Sequence, residues 1–193
     1  MEIRESLCTT INSERQIHHA AMGVVHQEGQ WVIRPYPETR TLANLTQRAA
    51  ADAWLSFVDD ALPLVLAALG LGEMLITRSD ASGLRWVDGA VSVAHVRVAG
   101  VTAPEAPGRP YALTLAVLEE RVLRPYHGVS RAYGALLEAA VAATRIPWLG
   151  RRATEEALER ARPLLEKTGS AKDWRAYEII RARAEAPENG GAG

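Results

Sequence analysis

The chain has 193 residues, with 22 Lys and Arg against 23 Asp and Glu, so it lacks the charge excess that holds nucleic acid or an anionic membrane surface. Its one cysteine, Cys8, excludes an intrachain disulfide, a CxxC redox pair and a cysteine-rich zinc site. The length suffices for one domain with a real core, or for one domain and a small appendage.

Ile3 to Ile11 is rich in β-branched residues and reads as a strand. Asn12-Ser13-Glu14-Arg15 is a turn, and Gln16 to His26 reads as the returning strand of a hairpin. Gln27-Glu28-Gly29-Gln30 makes a second turn before a third strand, Trp31 to Arg34. Three strands in succession predict an antiparallel meander, the start of a barrel or sandwich. A helix follows Thr41, with Leu42, Leu45 and Ala49 on one side, ending near Ala51-Asp52. Trp54 to Val58 is the next strand, Asp59-Asp60 stops it, and Ala61 to Leu69 reads as a short buried helix with Pro63 in its first turn. Residues 72–89 are ambiguous, with Met74 to Ile76 and Leu84 to Val87 as two short strand candidates.

Ala90 to Val98 alternates enough to predict a strand. Gly100 to Pro110, rich in proline and glycine, reads as a loop leading to a long strand over Tyr111 to Val122. Beyond Pro125 the pattern turns helical. Ser130 caps a helix to about Thr144 with a face of small residues, and Thr154 caps the next, which Pro163 should kink or divide. Ser170 and Asp173 start the last helix as a capping box. The expected fold class is α+β, mainly β: an antiparallel barrel over residues 1–127 and a helical extension over 128–186 packed on the barrel or on a partner, with residues 187–193 as a disordered tail.

One stretch concentrates chemistry. Between the third strand and the first helix stand Arg34, Thr39, Arg40, Thr41 and Asn44, two guanidinium groups and three hydrogen-bonding side chains beside a helix start. Such a set suits a phosphate, but on composition alone the plainer reading is an ordinary turn with a threonine cap. Other signals are weak. Gly70-Leu71-Gly72 opens like a dinucleotide fingerprint, but Leu75 stands at the third glycine's place, and no GxxxxGK[ST] occurs. His18 and His19 are adjacent on a strand, face opposite sides and cannot easily share a metal, so they read as strand histidines with local hydrogen bonds. Asp59-Asp60 reads as a solvated strand end and Cys8 as a packed strand cysteine. The start, Met1 to Glu5, has no apolar signal core, and the most apolar run, Ala61 to Leu71, is too short to cross a bilayer; a cytoplasmic protein is the simplest reading.

Several strings together resemble one family, domain of unknown function number 447, with the flavin-binding split-barrel fold. They are Thr9-Thr10-Ile11-Asn12; Ala20-Ala21-Met22-Gly23-Val24, similar to "APMGV"; Arg34-Pro35-Tyr36 with Thr39 to Leu45; Glu138 to Arg145, similar to "EAAIxATR"; and Glu166-Lys167-Thr168-Gly169. Before the long helix Arg131 is retained, while Ser130 and Tyr133 replace the family's asparagine and lysine. The resemblance implies a homodimer in which each barrel helps to bind one FMN. Arg34, Thr39, Arg40, Thr41 and Asn44 would be the phosphate candidates, Met22, Gly23 and Val24 would lie along the ring or ribityl chain, and Arg131 would reach the flavin edge or a substrate anion. It implies an oxidoreductase with an unknown small-molecule substrate, linked to tetrahydromethanopterin-type one-carbon metabolism. The alternatives are a non-catalytic flavin carrier and a scaffold without flavin. No metal site is implied.

Overall fold

Alternating apolar and polar residues in the first third of the chain set up strands that bury one face. The computed structural model describes residues 2–47 and 50–186. In it β1 (Ile3–Ile11) and β2 (Ile17–Gln27) form the expected hairpin. Asn12 holds its turn, the side-chain oxygen accepting from the backbone N–H of Glu14 at 3.0 Å and of Gln16 at 2.8 Å. Glu28 and Gly29, at φ 49° and 77°, make the tight turn into β3 (Gln30–Ile33). Both residues left-handed is the turn geometry that matches strand twist.

With β4 (Asp52–Phe57), β7 (Ser92–Thr102) and β8 (Ala112–Val122), these strands close a barrel in the order β1-β2-β3-β8-β7-β4, every neighbouring pair antiparallel. Cys8, Val24, Ile33, Leu55, Val96 and Leu113 belong to its core. A short helix, α1 (Arg40–Thr46), adds Leu42 and Leu45 to that core. A small hairpin, β5 (Thr77–Ser79) and β6 (Arg85–Val87), is organised by Asp80. One Asp80 oxygen accepts from Ser82 N at 2.9 Å, Leu84 N at 3.1 Å and the Ser82 hydroxyl at 2.7 Å, and Arg121 pairs with the other. These bonds, the Ser82 hydroxyl first, hold the Asp80 carboxyl down at about 2. Leu84 packs with Trp54 and Val93 in a second cluster, on the opposite face of the strands from the barrel core.

A second compact unit is helical. It comprises α2 (Ala61–Ala68), α3 (Arg131–Thr144), the short α4 (Ile146–Leu149), α5 (Arg152–Thr168) and α6 (Ala171–Glu185). Residues 59–71, which a division at 127 leaves with the barrel, cluster instead with the helices. The buried apolar residues of α2, Leu62, Leu64, Val65 and Leu66 among them, account for the placement, since α2 packs on α3 and α6; Asp60 adds to it, one carboxylate oxygen capping α2 at Leu62 N, 2.9 Å, and the other meeting Lys172 of α6 at 2.9 Å. Ala132, Leu136, Ala139, Ala140 and Ala143 are the buried face of α3, small enough for close packing against α5. Ser170 and Asp173 form the expected capping box.

Several expectations are corrected. The helix after the third strand starts at Arg40 and stops at Thr46, not near Ala51; Ala50 is left-handed at φ 54°, which ends any helical run, and Asp52 already pairs with Arg97 in the sheet. Met74 belongs to a 3-10 turn, Gly72–Met74, and the strand lies at Thr77–Ser79. β7 runs on to Thr102 through part of the expected loop, because a bulge at Ala99 lets Gly100 re-enter register opposite Thr114. Thr154 is not a cap: α5 begins two residues earlier, and the Thr154 side chain is buried inside it with no hydrogen-bond partner among the described residues. α5 also continues through Pro163, which lies on an exposed face where water can serve the carbonyl its missing N–H leaves. Ala49 and the expected disordered tail, 187–193, lie outside the described residues. Among the described residues, no helix is long and apolar enough to cross a membrane.

Candidate functional site

The segment from Arg34 to Asn44 leaves β3, turns, and enters α1. Pro35 is anchored to the barrel, its carbonyl accepting from Tyr111 N at 2.9 Å. The turn is bonded within itself: the Thr39 hydroxyl donates to the Tyr36 carbonyl at 2.8 Å and accepts from Leu42 N at 3.3 Å as the helix cap. Glu38 sits at φ 64°, left-handed for a residue with a side chain, a local strain of about 1–2 kcal/mol that the flanking bonds hold in place.

These contacts sort the phosphate candidates. Asn44 is buried and donates to the Thr10 hydroxyl on β1 at 2.8 Å, tying α1 to the barrel. Thr41 is 1% exposed and turned into the protein. Thr39 spends its hydroxyl proton on the turn. Arg34 and Arg40 are exposed, and neither has a carboxylate partner among the described residues, whereas Arg78, Arg97, Arg121 and Arg181 each have one. The segment therefore presents two guanidinium groups, with threonine and asparagine as its frame.

The register of β2 on β3 sets Val24 opposite Ile33, so the Met22-Gly23-Val24 run lies beside the start of the arginine segment. Val24 is fully buried and Met22 packs against the barrel core; both side chains turn inward. Gly23, of opposite parity, faces outward, and a Cβ there would meet only the Cγ2 of the exposed Ile3, at 3.0 Å. Arg131, the first residue of α3, is exposed and belongs to the helical unit.

Two histidines of β2 face opposite sides, as their adjacency requires. His19 pairs with Thr9 across the hairpin and is buried; its Nδ1 lies 2.9 Å from the Thr9 hydroxyl and its Nε2 3.0 Å from that of Thr77. Burial, reinforced by His18, lowers its pKa to about 4, so it is a neutral structural clasp. Farther along the same face Trp54 stacks on His95, ring centroids 5.1 Å apart, with the Arg85 guanidinium over the indole and Asp52 bridged by Arg97 at 2.6 and 3.2 Å. His18 pairs with Thr10 on the inward face and is half-buried. Burial and the positive charge of Arg40 hold its pKa below the ordinary value. The sequence identifies His18 only as a strand histidine; its place opposite Thr10 follows once the hairpin turn is fixed. Cys8 is buried in the core, and burial pushes its thiol up to about 12, which removes it as a nucleophile. Among the described residues no group of three or more His, Cys, Asp or Glu could hold a metal ion.

Comparisons with known proteins agree with this architecture. No curated protein matches the sequence. Among solved structures, an FMN-bound DUF447 protein from Methanosarcina mazei superposes with a TM-score of 0.76 at 16% identity, over 94% of each chain. A flavin reductase complexed with NADP+ gives 0.52 at 8% identity, over 64% of this chain and 81% of that one. Nitrilotriacetate monooxygenase component B from Mycobacterium thermoresistibile gives 0.51 at 11% identity, over 64% and 71%. The fold is thus that of the FMN-binding split barrels. Family models for the protein of unknown function (DUF447) match twice, the N-terminal domain over residues 4–124 and the C-terminal one over 130–182, and the chain belongs to that family.

Proposed function

We propose that the chain is an FMN-binding flavoprotein that works as an oxidoreductase on a small molecule. The observation that carries this reading is the pair of exposed arginines, Arg34 and Arg40, which have no carboxylate partner among the described residues, on the segment beside Gly23, in a fold whose solved examples include FMN-bound and flavin-reductase structures. A phosphate suits two guanidinium groups that have no acid of their own, since charge-assisted bonds of this kind are the strongest available to it. Gly23 has no side chain on its outward face and lets a flat ring approach the backbone of β2. Met22 and Val24 stiffen that strand from inside the barrel. The buried Asn44–Thr10 bond fixes the helix that carries Arg40. A bound flavin supplies hydride or electron transfer; the chain supplies binding, orientation and exclusion of water.

A homodimer, with the flavin near the subunit interface, is part of the same proposal; sedimentation showing only monomer would count against it. No residue described here argues for a tetrahydromethanopterin-type substrate. The non-catalytic carrier remains the second reading, and consumption of NADH or NADPH by the FMN-loaded protein separates the two. The direct test of the site is FMN titration of the Arg34→Ala/Arg40→Ala double variant. Loss of one or two charged hydrogen bonds, at about 1.5–3 kcal/mol each, weakens FMN by at least about tenfold and leaves riboflavin binding unchanged. A folded double variant with unaltered FMN affinity removes this segment from the site.

A further inference from the structure

We propose that His18 is the second cation of the Arg40 seat: an anion bound there is held by both side chains, and the imidazole takes up a proton from solvent as the anion arrives. This rests on the FMN reading above, with the phosphate of FMN as the anion; β3 pairs with β2 only from Val24 to Gln27, so a ligand can pass the β2 edge that β3 leaves uncovered, between outward-facing Gly23 and inward-facing His18.

Three observations carry it. First, β1 and β2 pair Thr10 directly with His18, so the two side chains are neighbours on one face. Asn44 of α1 bonds to that same Thr10 at 2.8 Å, and Arg40 lies one turn earlier on α1, on the Asn44 side of the helix. Helix and hairpin thus bring Arg40 and His18 to one place, over a floor closed by the buried Thr10–Asn44 bond. Second, neither group has an acidic partner among the described residues. The charged groups on the elements packed against β2 do not supply one. On β1, Arg4 stands opposite Val24 at the far end of the hairpin, and Glu5 stands opposite the outward-facing Gly23. On the 3-10 turn, Glu73 is exposed and follows Gly72, which packs on His19, on the other face. β3 carries no charge. Third, His18 is only half-buried, so a ligand can reach it, and it already feels the guanidinium, its pKa lying below the ordinary histidine value.

A site with two potential cations and no acid among the described residues responds to an incoming anion in a definite way. Alone, the imidazole gives up its proton more readily than an ordinary histidine, because burial and Arg40 both oppose its charge. A phosphate at the same place reverses that balance. By linkage, an anion that raises the pKa of His18 binds more tightly as pH falls from 8 towards 6. The second ionisation of the phosphate, near pH 6, works in the opposite direction and is common to every variant.

The test is titration of apoprotein with FMN and with riboflavin between pH 6 and 8, comparing the natural chain with His18→Gln and His18→Lys. The FMN-to-riboflavin affinity ratio isolates the phosphate seat. The expected result is a ratio at pH 6 that is about tenfold or more lower in His18→Gln, a flatter pH profile in that variant, and a ratio restored at pH 8 in His18→Lys. Should the variants not fold, NMR titration of the His18 ring in the natural chain replaces them: its pKa rises when FMN is added, and a pKa that does not move overturns the proposal. If FMN binds and the ratio and its pH dependence are the same with and without the imidazole, His18 is not in the seat, while the FMN reading stands. If the natural chain binds neither flavin, both fall together.

Discussion

His19 makes the protein sensitive to mild acid. The ring is 6% exposed, bonded on both nitrogens to the hydroxyls of Thr9 and Thr77, and its pKa is about 4. An unfolded histidine titrates near 6.5. Between those values the unfolded chain binds the proton and the folded chain does not, so stability falls as pH falls, and the full contribution is present only above 6.5. The difference corresponds to about 3.4 kcal/mol below pH 4, at roughly 1.36 kcal/mol per pKa unit, and to about 2 kcal/mol already at pH 5. Against a domain stability of about 5–15 kcal/mol that is a measurable share. Urea unfolding of the natural chain and of His19→Gln at pH 7.5, 6 and 5 separates this effect from that of carboxylates such as Asp52, which the variant retains. The variant starts less stable, having lost at least one bond, but loses about 2 kcal/mol less on going to pH 5. Equal losses in the two proteins, or an NMR-titrated ring pKa near 6.5, would refute the reasoning.

Two further substitutions test single features. Gly23→Ala meets only the tip of the exposed Ile3 side chain, so stability changes by less than about 1 kcal/mol, while FMN affinity falls because the added methyl stands where the ring approaches; unchanged FMN affinity in the alanine variant would remove Gly23 from the flavin surface. Thr154→Val replaces a buried hydroxyl that has no partner among the described residues with a methyl of similar size; thermal or urea unfolding should show a gain of up to about 1 kcal/mol, and a loss would mean that the hydroxyl is satisfied after all.

The barrel was legible where one residue type dictates one geometry. β1, β2 and their turn follow from β-branched residues around Asn12, and Glu28-Gly29 marks the next reversal. Ser130 and Ser170 were readable as caps because each precedes a run with helical periodicity. Thr154 misled because a cap and a buried helical threonine look alike in sequence; only the depth of burial separates them. The hairpin at 77–87 was hidden for a different reason: Asp80 holds it through several bonds that no apolar pattern announces. The assignment of residues 59–71 to the helical unit depends on the packing of α2 against α3 and α6, between residues more than sixty positions apart. At the candidate site the segment itself was visible from its residue types. Which of its groups face solvent was not, because that depends on the pairing of Asn44 with Thr10 and the burial of Thr41.

The central claim is that this barrel holds FMN, and the visible spectrum of the purified protein, with mass identification of what denaturation releases, tests it most directly. The account predicts a yellow protein that releases FMN, or a colourless one that becomes yellow and retains FMN through gel filtration after loading. A colourless protein that fails to bind added FMN would contradict it.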